Sequence, residues 1–563
     1  MASLQPFNGT LDKRLAGHLL RRATFGPSKK DIDQFTGLTP VQAVANLLQE
    51  PEPPKPITNP ASGTPLIDPE NGIYKMVVDG EAENLTDVFM SWWMATMKNS
   101  GNNLTEKMVY FMHTHFTTMK SRINEPSALY HQIALFRFYA LGNFKTLSLK
   151  VCKDNAMLRF LDGILNVKDR PQENFGRELL ELYTIGKGPQ VAPEVVDGEE
   201  FANYTTFTEQ DVKAATRVLS GWDEDTQFET IDPDTGIPTG KVKANAQLLT
   251  TQHYTDVKTF STAFQNTQIA PALVENDSTT VEEVEAQLAQ LIDMIFVQEE
   301  TAKYICRRLY RFFVYYDITD EIERDIIEPL AVTFRNSGYE LKPVLEQLLI
   351  SSHFYDADDN ETGNNIVGAI IKSPLELVTG VGRFFNIPMP DPELEAADMA
   401  AAYKPILEEM ESQGMELYEP FEVAGYSAYH QTPAYNRNWI SANYLAYRYI
   451  YSEHILERMD EDDMPKNFAW LDVIAFVENP ENVANPADAE QLVTDLVTYM
   501  LPEEISQERF DYFLNGILLD GLSSVMWEFE WDSYKTSGDD SAVRAQIEAL
   551  VRAIIQSPEF QLM

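Results

Sequence analysis

Cysteine is almost missing from this chain. Cys152 and Cys306 are the only two in 563 residues, too few to frame a protein of this length with disulfides, so both read as small buried hydrophobes. Basic residues are scarce as well: 44 Lys and Arg stand against 87 Asp and Glu, a formal charge of −43. A field of that sign repels nucleic acid and anionic membranes and argues against either as a partner. No apolar run reaches the roughly 20 residues of a membrane span. Residues 1–10 have neither a basic nor an apolar region, so no secretory signal is read there. A cytoplasmic chain is expected as written, with export alongside a partner left open. Arg21-Arg22 lacks the apolar core that a twin-arginine signal needs. Catalytic signatures are missing too: there is no Gly-x-Ser-x-Gly elbow, Walker loop or dinucleotide fingerprint. Neither a His-Glu-x-x-His zinc motif nor the Glu-x-x-His pair of a ferritin-like di-iron site occurs.

What is present is helical periodicity. Apolar residues recur at helical spacing over about 84–99, 104–119, 126–141 and 145–166, and again over 279–296, 300–316, 320–336, 341–352 and 372–386. Further helices are read at 438–458, 486–500, 507–516 and 541–556. Arg170 to Tyr183 reads as an amphipathic helix closed by Gly186, and Thr208 caps a helix from Glu209 to Trp222, with Asp211 three residues on as in a capping box. Three stretches interrupt the pattern. Residues 51–72 hold too many prolines for regular structure and read as an extended segment. Residues 223–250 alternate around Asp-Pro-Asp-Thr-Gly and read as a small β-hairpin excursion. Residues 388–422 read as an acidic insertion, solvated and partly helical, with ten acidic residues and one Lys between Asp391 and Glu422. The expected fold is all-α: one large irregular multi-helix domain over residues 1–563 with a small β excursion.

Only eight histidines occur, yet two of them, His113 and His115, lie one residue apart in an apolar segment. Imidazole is the commonest protein metal ligand and the usual base near neutral pH. If Glu106 to Thr117 is one helix, the two rings point about 200° apart and cannot hold one ion together. If the helix stops near Met112, they share a face and converge. Glu178 and Glu181, with Asn174, fall on one polar stripe of the helix from Asn174. Such a stripe suits a hard cation, or else a buried ion-pair network with Arg137 or Arg217. His253, near Asp256 and Lys258, follows the hairpin and is a third source of imidazole.

These residues define a candidate site. His113, His115, Glu178, Glu181 and His253 are the metal ligands, and Glu178, Glu181 and His115 are the catalytic groups of a metal-dependent hydrolytic or oxidative step using a divalent ion. Two other features carry chemistry. Arg307, Arg308 and Arg311 (like Arg21 and Arg22) form basic islands that pair with the acidic stripe or recognise a carboxylate, sulfate or phosphate. Tyr426, Tyr429, His430, Tyr435 and Trp439 form a loose aromatic group that reads as a packed loop or a carbohydrate-stacking surface. The run from Tyr310 to Tyr316 reads as core.

Several segments occur in order along most of the chain. They are His18-Leu-Leu-Arg-Arg-Ala-Thr-Phe-Gly26, Leu104-Thr-Glu-Lys-Met through His113-Thr-His-Phe116, and Asn174-Phe-Gly-Arg-Glu-Leu-Leu-Glu-Leu-Tyr-Thr-Ile-Gly186. Thr208 to Val212, Ser220-Gly-Trp222, His253 with Lys258-Thr-Phe260, Leu309 to Val314, Phe334 to Leu341 and Lys372 to Glu376 complete the set. Together they resemble the bacterial domain-of-unknown-function family numbered eighteen hundred. The resemblance implies an α-helical fold and no established reaction. It also implies, as a partner, a phosphatase- or sulfatase-like exported protein encoded nearby, for which this chain would be a non-enzymatic accessory or maturation factor. Two departures stand out: Met112 replaces a usual Trp, and His253-Tyr-Thr-Asp-Val-Lys-Thr259 lacks the Gly of a tight phosphate-cradling turn.

Overall fold

The computed structural model describes residues 2–77, 84–188, 194–196, 199–201, 204–358, 366–391, 395–456 and 470–563. Helices dominate, and their starts follow from capping chemistry. Ser28, Thr39, Ser373 and Thr208 each close a capping box with Asp31, Gln42, Glu376 and Asp211, satisfying amide groups that would otherwise be left bare at the helix ends. Buried apolar side chains from Leu11 to Phe560 form one contiguous cluster. The last residues return to it: Leu562 pairs with Ile371, and the Met563 amide donates to the Ile370 carbonyl.

The helix Thr105–His115 runs through the middle of this core, with every residue buried. That burial extends to Glu106 and Lys107, so each needs a partner. Arg137, from the neighbouring helix Pro126–Phe138, donates to Glu106 at 2.9 Å, and Lys107 pairs with Glu376. The helix ends at His115, where Phe116 leaves helical geometry at φ −94°, ψ 59°.

Local chemistry moves several boundaries away from the periodicity. The expected helix over 145–166 is two, Phe144–Val151 and Asn155–Phe160, because the Asp154 side chain caps the Met157 amide and starts a new helix. The helix from Glu209 stops at Val218, and Trp222–Asp223 instead pairs antiparallel with Lys241–Val242, closing the β excursion. Two further short antiparallel pairs follow, Leu249–Thr250 with Thr279–Thr280 and Lys258–Thr259 with Gln268–Ile269; two-residue strands leave too little alternation to read. The acidic stretch 388–422, described apart from 392–394, is anchored rather than held off the body. Its helix Ala396–Ser412 packs on Leu85–Lys98, and Met399, Tyr403, Met410, Met415 and Tyr418 are buried. Asp398, Glu408 and Glu411 of that helix are exposed while Glu409 is half-buried, and the exposed set is why composition alone suggested solvation.

Glycine at one position sets how closely the helix that carries Glu178 approaches the helix Glu209–Val218. A Cβ on Gly176 would lie 2.6 Å from Thr216 Oγ1 and 2.9 Å from the Thr216 amide. Backbone cannot yield there as a flexible side-chain tip would, so Gly176→Ala is expected to cost about 2 kcal/mol. Urea unfolding checks this; a loss within experimental error would show that the two helices can separate freely.

Candidate functional site

Because the helix runs through to His115, its two histidines face different neighbours. His113 packs against the Tyr418 ring at 4.3 Å and edge-on to Trp93 at 5.3 Å, and neither ring nitrogen has a hydrogen-bond partner. Burial drives its pKa down to about 3, so it is neutral. His115 lies among Phe111, Phe116 and Phe144 and donates from Nε2 to the Tyr183 carbonyl at 2.9 Å. Burial, then the nearby Arg308 charge, takes its pKa to about 3 as well. His253 donates from Nδ1 to the Ser220 carbonyl at 2.8 Å and faces Lys258, whose ammonium donates to Gln287 at 2.6 Å. The three rings therefore face different neighbours.

Glu178 and Glu181 sit where the helix Asn174–Glu178 widens into the π-turn segment Leu179–Tyr183. Glu181 pairs with Lys187 at 3.0 Å. Glu178 makes no hydrogen bond or ion pair among the described residues; burial, then Glu181, raises its pKa to about 7. Asn174 leaves the stripe and donates to Asp162. The expected arginine partners are also engaged elsewhere: Arg137 binds Glu106, and Arg217 binds Asp256. The five sequence-predicted ligands are therefore not gathered. Among the described residues, no group of three or more His, Cys, Asp or Glu is placed to hold a metal ion. Helical phase separates His113 from His115, and the β excursion keeps His253 with Ser220 and Lys258.

The structure instead brings together two features that are far apart in sequence. Arg308 and Arg311, on the helix Glu299–Phe313, share a pocket with Tyr316, Tyr429, Tyr435 and Trp439. It is narrow and spans about 510 Å³ of atom-free space, open mouth included. Arg307, one turn before Arg311 on the same helix, is spent on Glu300 and Glu323. Its two neighbours are not paired in this way. Arg308 donates only to the carbonyls of Tyr429 and Thr114, and Arg311 donates from Nε to the Tyr316 carbonyl, its guanidinium lying 5.3 Å from the Tyr435 ring centre. Neither has a carboxylate partner among the described residues. Burial, with its arginine neighbours, lowers the Arg311 pKa, the signature of a charge that lacks its counter-ion. The side-chain amide of Asn436, in the same lining, likewise has no hydrogen-bond partner among the described residues. Glu376 reaches this wall too, but its charge is already neutralised by Lys107.

Tyr304 links the carboxylate stripe and these arginines electrostatically: it feels the charges of Arg308, Arg311, Glu181 and Lys187, and its hydroxyl donates to the Leu182 carbonyl. His430 lies between the charges of Arg308 and Glu422. The other arginine island is structural: Arg21 donates to the carbonyls of Tyr499 and Leu501, and Arg22 to those of Val314 and Ile366.

Comparison with known families gives one match, over residues 18–562, to the model described as a protein of unknown function, DUF1800. The chain belongs to the DUF1800 family. No curated protein and no solved structure matches it. For this family member, no helix among the described residues is long and apolar enough to cross a membrane. Sequence reading missed several buried polar links, because no periodicity or motif joins their members. One is the Lys107–Glu376 pair. Another is a chain in which the Tyr310 hydroxyl contacts His353 Nε2 at 2.9 Å and His353 Nδ1 contacts Asp358 at 2.8 Å.

Proposed function

We propose that this DUF1800 protein binds a ring-bearing anion, a carboxylate, sulfate or phosphate carried on a flat or sugar-like ring, in the Arg308–Arg311 pocket. One observation carries the reading: in a chain with a twofold excess of acidic residues, two arginines in an aromatic pocket have no carboxylate partner among the described residues. A guanidinium offers a planar fork that matches such anions, and aromatic walls stack on rings. Sulfated or phosphorylated rings are also what a phosphatase- or sulfatase-like protein would act on. This joins the reading to the accessory role that the family resemblance implies.

A second reading is hydrolysis, and Glu178 favours it: a carboxyl with a pKa of about 7 can both hold and give up a proton near neutrality. No divalent ion is required by either reading. Glu178 and Glu181 stay together beside the π-turn, while His113, His115 and His253 each face other neighbours.

Calorimetric titration of the full chain with glucuronate, glucose 6-sulfate, 4-nitrophenyl sulfate, glucose and inorganic sulfate separates the contributions. Ring-bearing anions are expected to bind, glucose not at all, and inorganic sulfate more weakly. Arg311→Gln is expected to weaken binding by about tenfold or more, roughly 1.4 kcal/mol. Binding unchanged in that variant, or equal binding of glucose, would overturn the proposal. Turnover of 4-nitrophenyl sulfate that disappears in Glu178→Gln would favour hydrolysis.

A further inference from the structure

A second cavity, sharing no lining residue with the arginine pocket, lies between the helices Leu85–Lys98, Pro374–Phe384, Ala396–Ser412 and Ala442–His454. It is narrow, spans about 570 Å³ of atom-free space with its mouth included, and is walled by Met94, Val378, Ile387, Met389 and Ile406 among others. Among the polar groups on that lining, two have no protein partner among the described residues. The Lys98 ammonium makes no ion pair or hydrogen bond among the described residues. The Tyr403 hydroxyl is fully buried and has no hydrogen-bond partner among the described residues.

An unneutralised lysine is out of place in so acidic a chain, and the local arrangement keeps it that way. The carboxylate on the same lining, Glu409, is taken by His454 at 2.5 Å. Arg383, held by the carbonyls of Gly26, Lys98 and Gly101, adds a second positive charge close by. Burial, then Arg383, lowers the Lys98 pKa to about 8. Gly382 leaves room beside the lysine: a Cβ there would lie 3.5 Å from Lys98 Cε. An apolar slot with one bare cation is complementary to an apolar chain with one anionic end.

We propose that this cavity binds an unbranched aliphatic carboxylate, its chain along the methionine and isoleucine walls and its head on Lys98. The free Tyr403 hydroxyl is a second polar point on the lining, suited to a ligand oxygen.

Titration calorimetry on the full, delipidated chain tests this with dodecanoate, 1-dodecanol and dodecyltrimethylammonium. Dodecanoate is expected to bind about tenfold or more tightly than the alcohol, and the ammonium not to bind. In Lys98→Met, dodecanoate affinity is expected to fall by about tenfold to the level of the alcohol, whose own affinity stays unchanged. Ala402→Phe, which fills the slot, is expected to abolish binding of both; circular dichroism melts report whether each variant is folded. Absence of saturable dodecanoate binding, equal affinity for the cationic amphiphile, or undiminished binding in Lys98→Met overturns the proposal.

Discussion

Glu376→Ala destabilises the fold by about 3–5 kcal/mol, while Lys107→Met combined with Glu376→Leu recovers most of that loss. The pair sits near the middle of the molecule, with side-chain exposures of 1% for Lys107 and 8% for Glu376. Removing one member strands the other charge in an apolar interior, whereas replacing both by apolar groups of similar size removes the desolvation cost with the attraction. Glu376 is held further by the amide and hydroxyl of Ser373. Burial alone would raise its pKa; Lys107 and Ser373 outweigh burial and hold it below the usual carboxylate value. Its contribution is therefore complete above the unfolded pKa of about 4.3 and is lost as pH falls through the lower folded value. Urea unfolding of the two variants at neutral pH decides the matter. A single variant losing less than about 1 kcal/mol, the range of an exposed pair, would show that water reaches it.

Acid is expected to separate His113→Phe from the parent protein by about 3 kcal/mol. The parent ring is neutral down to a pKa of about 3 because it is buried, whereas an unfolded chain takes up the proton near 6.5. Between those values the unfolded state binds more protons, so the contribution of His113 is full above pH 6.5 and falls as pH drops through the window. At pH 4.5, two pH units below the unfolded value, the loss is about 2 × 1.36, near 3 kcal/mol. Phenylalanine keeps the ring against Tyr418 and Trp93 but cannot titrate. His115, near 3, and His131 and His253, near 4, add to the acid limb of the parent, whereas Asp154, raised to about 7 by burial, works against it. Comparing the drop in unfolding free energy from pH 7.5 to 4.5 in the two proteins isolates the single histidine. An identical drop would mean that His113 is already hydrated in the fold.

The two histidines show where sequence reasoning stopped. Their spacing and the helical phase, taken together, put the rings on different faces, and the structure places them so. Nothing in the spacing identified Tyr418 and Tyr183 as their neighbours, because those side chains come from segments 305 and 68 residues away in the chain. The carboxylate stripe was legible as far as Glu178 and Glu181, but the π-turn that follows Glu178 and the pairing of Arg137 with Glu106 took away the expected network. Both halves of the arginine pocket were visible separately, as a basic island and as a loose aromatic group. No periodicity links residue 311 to residue 435.

The sequence by itself determined the helical class, the β excursion and the family, because apolar period, capping residues and ordered motifs are local properties of the chain. It also determined that the protein carries a large negative field. Tertiary structure alone decided which charges are paired. Lys107 finds Glu376 and Arg307 finds Glu323, but Arg308, Arg311 and Lys98 are left beside apolar and aromatic walls. The physical reason is that desolvation and pairing depend on which side chains the packed core brings within a few ångströms, and that distance is set by the whole fold rather than by any stretch of it.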